Sequence, residues 1–409
     1  MPRLNTLVLA VAVAFATAAT AHTSFTTLFV NGVDQGDGTC VRQPTDPQTS
    51  TFPVEDLASS DMICRNGLAS VAFTCPVGAG STLTFEFREN PDGSVPGAID
   101  KSHKGPCAVY LRQVSDMASE TPASSTGWFK IYEDGYDNST DQWCTEKLIA
   151  TNGLLSVALP SGLPAGAYLA RPELLALHEA QKGDPQFYVG CAQIFVGGTS
   201  SGQLLTIPEG HEATIPGHVK AGDPSVTFNI YTPVFPYPMP GPPVFFPTAD
   251  DTSGSKANAA GNNRIDASPS TAPSPSPSPS WSSSSSSCSA SSKPNKLAVV
   301  AQHAGVAFVP SACLIKNANW CGVEVPSYTT EAGCWDASEN CFHQEAACYS
   351  SAPPSGDANC DVWDKKCTAI QAACGAGSFV GPPNAGQPLQ QVEAAVPGPI
   401  PGAERRKRR

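Results

Sequence analysis

Beyond its first two dozen residues the sequence has no hydrophobic run long enough to cross a bilayer as a helix, which excludes a membrane-spanning segment from the rest of the chain. Basic residues are also scarce. The 24 Lys and Arg stand against 36 Asp and Glu, for a formal charge of −12. An acidic chain of this kind is a poor partner for nucleic acid or for an anionic membrane surface. None of the cysteine spacings is a standard zinc pattern. Up to Phe246 there is no convincing amphipathic helix, which argues against an α/β or helical fold for that half.

What is present begins with a leader. Arg3 supplies a charge, Leu7 to Phe15 a short apolar stretch, and Ala19-Thr20-Ala21 the small-x-small pattern that signal peptidase cuts after. The cut predicts a secreted, extracellular protein whose first residue is His22. An α-amino group titrates near ~7.7–8.0, so a metal can displace its proton at mild pH, and the amine and imidazole of one residue can chelate one ion in a single ring.

At 409 residues the chain is too long for one ordinary domain, and its 41% apolar content suffices for a core. We divide it into a leader (residues 1–21), a β domain (22–247), a Ser/Pro-rich linker (248–296), a Cys-rich module (297–378) and a Pro/Gly-rich tail (379–409). The tail ends in Arg405-Arg406-Lys407-Arg408-Arg409, a solvated end or a processing signal. The 15 cysteines divide in the same way. Cys40, Cys64, Cys75, Cys107, Cys144 and Cys191 precede the linker. Cys313, Cys321, Cys334, Cys341, Cys348, Cys360, Cys367 and Cys374 follow it, and Cys288 is the odd one inside it. Even numbers on both sides predict two disulfide-closed units in an oxidising compartment. Asn138-Ser139-Thr140 is an N-glycosylation sequon.

The β domain reads as a sandwich of many short strands. Thr82 to Arg88 alternates strictly, with Leu83, Phe85 and Phe87 on one face. Further strands are predicted at 107–111, 128–132, 154–159, 168–171, 187–196 and 226–230. Three constellations in it can carry chemistry. His103 precedes a Gly-Pro turn that leads into a strand. Gln186 and Tyr188 share a strand face, with His178 delivered by the segment before them. Tyr237, held among prolines, would make a flat platform for a sugar ring. Each also has a plainer reading: an exposed loop His, a core Tyr with a polar neighbour, and the packed end of the domain.

With His22 as first residue, this set closely resembles the fungal lytic polysaccharide monooxygenases of auxiliary activity family nine. The resemblance runs from His22 to about Phe246. It rests on the leader-to-His22 junction, Ser102-His103-Lys104-Gly105-Pro106, Arg171 to His178, Asp184 to Ile194, and Phe228-Asn229-Ile230-Tyr231 followed by Tyr237-Pro238. Many members have His where Pro172 stands, at a position that is not a ligand.

The resemblance implies an immunoglobulin/fibronectin-like sandwich holding one copper ion through His22 and His103, with Tyr188 as a weak axial neighbour. Nitrogen-rich ligation suits Cu(II). His178 and Gln186 would hydrogen-bond an oxygen species beside the metal. It implies a Cys64–Cys191 disulfide, leaving Cys40–Cys75 and Cys107–Cys144 as the other pairs. It further implies oxidation of β-1,4-glucan at C1 or C4, with O2 or H2O2 and an electron donor such as cellobiose dehydrogenase or small phenols, by a monomer. The runner-up reading is a non-catalytic copper protein of the same fold, in metal handling or cell-wall attachment.

In the Cys-rich module Cys334, Cys341 and Cys348 recur every seven residues, as do Cys360, Cys367 and Cys374. A seven-residue step returns a helix to nearly the same face. This predicts an αα-hairpin crosslinked by disulfides, joined at Pro353-Pro354-Ser355-Gly356, with Cys313 and Cys321 closing the preceding loop. The Cys/Gly/aromatic pattern of the common fungal cellulose-binding module is absent. Trp320, Trp335, Tyr349 and Trp363 are either a sugar-binding face or the small core.

Overall fold

The structure is a computed structural model that describes residues 22–67, 69–118, 125–198, 203–248, 305–387 and 389–392. The leader, the Ser/Pro stretch with Cys288 and the basic end lie outside the described residues.

The order of elements is β1 (Ser24–Val30), β2 (Val33–Asp34), β3 (Val41–Arg42), the one-turn helix α1 (Asp61–Cys64), β4 (Cys75–Gly78), β5 (Thr82–Arg88), β6 (Cys107–Val114) and β7 (Ser125–Asp134). The short hairpin β8 (Tyr136–Asp137) and β9 (Gln142–Trp143), the helix α2 (Cys144–Ala150), β10 (Leu154–Ala158), β11 (Gly166–Ala176), β12 (Gln186–Val189), β13 (Cys191–Gly197) and β14 (Glu212–Ile215) follow. A four-stranded sheet runs β10-β5-β1-β2. It faces an eight-stranded sheet ordered β14-β7-β6-β11-β13-β3, with β12 added to β11 and β4 added in parallel to β13.

Leu83, Phe85 and Phe87 turn inward from β5, as their alternation predicts, and meet Leu28 of β1 and Leu174 of β11 in the core between the sheets. The opposite face of the large sheet is covered too. Ala167, Leu169 and Leu175 of β11 pack there with Trp128, Phe187, Val219 and Phe228. With both faces covered, every residue of β11 is buried.

Two sequence expectations change in the sandwich. The predicted strand 187–196 is interrupted at Gly190, which divides it into β12 and β13, both paired with β11 in one continuous register; a Cβ on Gly190 would lie 3.0 Å from the Phe25 ring. Residues 226–230 form no strand. Val226 and Thr227 turn back to donate to the Asp223 carbonyl, and the segment lies across the large sheet as a loop.

The disulfides Cys40–Cys75, Cys64–Cys191 and Cys107–Cys144 all form. In the second unit the hairpin β15 (Cys313–Asn317) and β16 (Trp320–Val323) carries Cys313–Cys321. The helices α3 (Glu331–Ser351) and α4 (Ala358–Gly375) are crosslinked by Cys334–Cys374, Cys341–Cys367 and Cys348–Cys360. This antiparallel ladder follows from the seven-residue spacing, which keeps each row of cysteines on one face.

The two units meet. Asn319 accepts from the Cys40 backbone N–H at 3.0 Å and donates to the Gly38 carbonyl at 2.7 Å. Thr39 donates to the Ala318 carbonyl, Lys316 to the Gln35 carbonyl and Ser355 to Gln43. The approach is so close that a Cβ on Gly38 would sit 2.7 Å from the Cβ of Ala318. Beside the contact lies a polar cleft of about 690 Å³ between Asp34, Asp37, Asp92, Lys316 and Asn359. The second unit is therefore seated on the sandwich.

Candidate metal centre

His103 is placed by the loop that enters β6. Asp100 turns that loop by accepting from the backbone N–H groups of both Ser102 and His103. Gly105 then passes so close to β11 that a Cβ would lie 1.9 Å from the Leu175 carbonyl oxygen. Thr145 of α2 binds Gly105 from the other side, and Cys107–Cys144 ties β6 to the same helix. The result is a buried histidine, 4% exposed, and not the exposed loop residue of the plainer reading. Its Nδ1 lies 3.1 Å from Ser102 Oγ, which leaves Nε2 directed away from the loop.

His22 stands just before β1, its ring 4.9 Å from Phe52. Tyr188 comes from β12, with ring centroids 6.3 Å from His22 and 5.9 Å from His103. His178 follows β11 and packs against His103 at 4.2 Å. Gln186 lies on the face of β12 that its spacing predicts. The Tyr188 hydroxyl donates to Gln186 Oε1 at 3.1 Å, and Gln186 Nε2 donates to Asp184 at 3.2 Å. The structure thus gathers His22, His103, His178, Gln186 and Tyr188 at one end of the sandwich.

Tyr237 is elsewhere. Its hydroxyl donates to the Ser225 carbonyl at 2.8 Å, and its ring is wedged edge-on against Trp143 and Phe228, each at 5.0 Å. It is a packing residue of the outer core and not an open platform. The open rings near the imidazoles are Tyr231, 64% exposed, and Phe52, 41% exposed. The Tyr231 hydroxyl donates to the His178 carbonyl. Neither ring was singled out as a platform by sequence reasoning. Tyr231 stands beside Asn229-Ile230, and its motif was the available signal. Phe52 had none, because only the folded loop carries it to His22. Asn138 sits exposed at the tip of the β8–β9 turn, where a glycan has room.

Burial sets the charge of the cluster. It pushes His103 down to about 4, with His178 adding to the effect, and it lowers His22 and His178 as well. It raises the Tyr188 phenol, with Asp184 and Glu55 contributing. The imidazoles are neutral, as ligands must be, and the phenol keeps its proton. His22 Nδ1 and His178 Nδ1 are buried without a hydrogen-bond partner. Among the described residues no group of three or more His, Cys, Asp and Glu is arranged for a metal. The nitrogens gathered here are those of the His22 and His103 imidazoles, and the α-amino nitrogen of His22 would join them in a protein that begins at that residue. Such a set fits a nitrogen-preferring ion such as copper.

The sequence model of Auxiliary Activity family 9 (formerly GH61) matches residues 22–237. The chain is 47% identical over 372 residues to AA9 family lytic polysaccharide monooxygenase H of Botryotinia fuckeliana, covering 89% of this chain and 75% of that protein. It is 44% identical over 376 residues to AA9 family lytic polysaccharide monooxygenase C of Aspergillus tamarii, covering 91% of this chain and 90% of that one. Alignments of that breadth extend past the β domain into the second unit. Among solved structures, CvAA9A is 35% identical and covers 55% of this chain and 98% of its own, with a TM-score of 0.48.

Proposed function

The chain belongs to auxiliary activity family 9, the lytic polysaccharide monooxygenases, and from that premise we propose that it is a secreted, copper-dependent enzyme that cleaves β-1,4-glucan, cellulose foremost, by oxidation at C1, C4 or both. The observation that supports this most is the meeting of two neutral imidazoles and a buried, protonated phenol from three separate segments of chain.

His22 would hold the ion through its imidazole and α-amino nitrogen. His103 would hold it through Nε2, since Nδ1 faces Ser102. Bound there, copper supplies one-electron redox chemistry and activation of O2 or H2O2, with electrons from a donor such as cellobiose dehydrogenase or a small phenol. The chain's own residues do the rest. Tyr188 closes the site with a hydroxyl that Gln186 orients, and Asp184 in turn orients Gln186. His178, neutral and against His103, can take or give a proton at its unpartnered Nδ1. The rings of Phe52 and Tyr188 lie beside that of His22. Tyr231 and Phe52 offer exposed rings on which sugars of a flat polymer surface can rest. The seven disulfides suit an extracellular site of action.

The test is mass spectrometry of products. Protein processed at His22 and loaded with copper is incubated with cellulose and ascorbate. Aldonic acids are expected for C1 oxidation, and 4-keto or gem-diol sugars for C4. Protein that retains one residue ahead of His22 should lose tight copper binding and form no such products. Native-like copper affinity and activity in that extended protein would overturn the ligand assignment.

A further inference from the structure

The helix α3 carries a repeat that the catalytic reading does not use. Each of its cysteines is followed by an aromatic residue: Cys334-Trp335, Cys341-Phe342 and Cys348-Tyr349. Seven residues make nearly two full turns, so the three rings fall in one row along the axis with a drift of about 20° per step. The same seven residues rise roughly 10.5 Å. That is very nearly the two-sugar repeat of a fully extended β-1,4-glucan, in which every second sugar turns the same apolar C–H face outward.

The cysteines and the aromatics divide the helix between them. Cys334, Cys341 and Cys348 are buried and bridged to α4. One residue further round, Trp335 is 43% and Tyr349 38% exposed, while Phe342 between them is half-buried against the core of the unit. Trp363 and Trp320 do not share this face. Trp363 is fully buried and Trp320 packs edge-on against it at 5.6 Å. Trp320 and Trp363 thus belong to the small core, while Trp335 and Tyr349 stay at the surface.

Charge narrows the occupant. The helix has no Lys or Arg, and Glu331, Asp336 and Glu339 are exposed along it. Asp361 of α4 accepts from the Tyr349 hydroxyl at 2.6 Å. Carboxylates beside aromatic rings repel uronates, phosphates and anionic surfaces, but they accept hydrogen bonds from the hydroxyls of a neutral sugar.

We propose that α3 is a binding site for an uncharged β-1,4-linked glucan chain, laid along the helix with alternate sugars on Trp335, Phe342 and Tyr349. The three disulfides keep the row straight, and the hydrogen bonds of Lys316, Asn319 and Ser355 to the sandwich hold it in a fixed relation to the catalytic domain. The proposal rests on the functional reading above only for the choice of polymer.

The experiment is depletion of full-length, leader-processed protein by microcrystalline cellulose without reductant. W335A/Y349A should lose affinity by about ten-fold, since two stacking rings are removed. W335F and Y349F keep a ring and should stay within a few-fold of the parent. Polygalacturonate should deplete neither parent nor variant. Equal depletion of parent and W335A/Y349A by cellulose overturns the proposal, as does equal retention of the parent on polygalacturonate. Both changes are at exposed positions, and an unaltered melting temperature confirms folding. Product formation from cellulose with ascorbate, read separately from depletion, separates the two claims. Absence of oxidised products from cellulose itself, with copper-loaded parent and ascorbate, would refute the catalytic reading, while the difference in depletion would still decide this one.

Discussion

Gly105 shows how closely one residue governs the placing of His103, the proposed copper ligand. The only space for a side chain at this position is occupied by the Leu175 carbonyl, so Gly105→Ala must push the His103 loop away from β11. Copper affinity measured by calorimetry should fall by ten-fold or more while the far-UV spectrum stays native. In the proposed mechanism His178 and Gln186 act differently, since they would orient groups or carry protons without holding the ion. His178→Ala or Gln186→Ala should lower oxidised-product formation by about 10- to 100-fold. Copper affinity should stay within a few-fold of the parent. The sequence indicated these residues through a resemblance of short motifs. It did not indicate Phe52 or Tyr231 as the open rings, because exposure is a property of the folded surface. It also did not show that Tyr237 is packed away, since proline neighbours are compatible with either outcome.

At the scale of one element, β11 joins the site to the core. Arg171 points to the outer face of the strand and donates to the carbonyls of Met62 and Ile63, fixing α1 and with it the Cys64–Cys191 bridge. Glu173, two residues on, pairs with Arg171 at 2.6 Å and accepts from His218 at 3.0 Å. Burial alone would raise this carboxyl, but Arg171 and His218 outweigh it and hold it down from 4.5 to about 2. A group depressed in this way contributes its full stability above its unfolded value and loses it as the pH falls. Melting temperature should therefore decline from about pH 4.5 towards pH 2. Glu173→Gln should flatten part of that decline and cost about 3–5 kcal/mol at neutral pH, since it leaves Arg171 buried without a counter-charge. Thermal unfolding across that pH range checks both. Strand alternation disclosed β5, but β11 is buried on both faces and its Arg-Pro-Glu segment has no alternation to read. The pairing of Glu173 with His218 joins residues 45 positions apart, and only the fold brings them together.

The whole molecule is a sandwich with a second unit seated on it. Asn319 holds three groups of the β2–β3 segment: the Cys40 N–H and the carbonyls of Gly38 and Val41. That segment is itself clamped to the sandwich, because Asp37 receives two hydrogen bonds from the buried guanidinium of Arg88. Asn319→Ala would leave the Cys40 N–H without its partner at a cost of about 1–3 kcal/mol. The variant should melt several degrees lower, and small-angle scattering should report a wider distribution of distances than in the parent. An unchanged scattering profile and melting temperature would mean that the contact adds nothing to the seating.

The sequence by itself determined what depends on local order. The small-x-small pattern before His22, the strict alternation of β5, the seven-residue rows of cysteines and the change to Ser/Pro composition are all relations between near neighbours, and each follows from the period of a strand or helix or from the chemistry of a short motif. The tertiary structure decided what depends on distant residues meeting: which aromatic rings stay open, which cysteine of one row faces which of the other, how closely Gly190 approaches Phe25, and that the second unit rests on the sandwich. Those outcomes are set by packing and by the pairing of buried polar groups, which sum over segments far apart in the chain and leave no periodic trace in it.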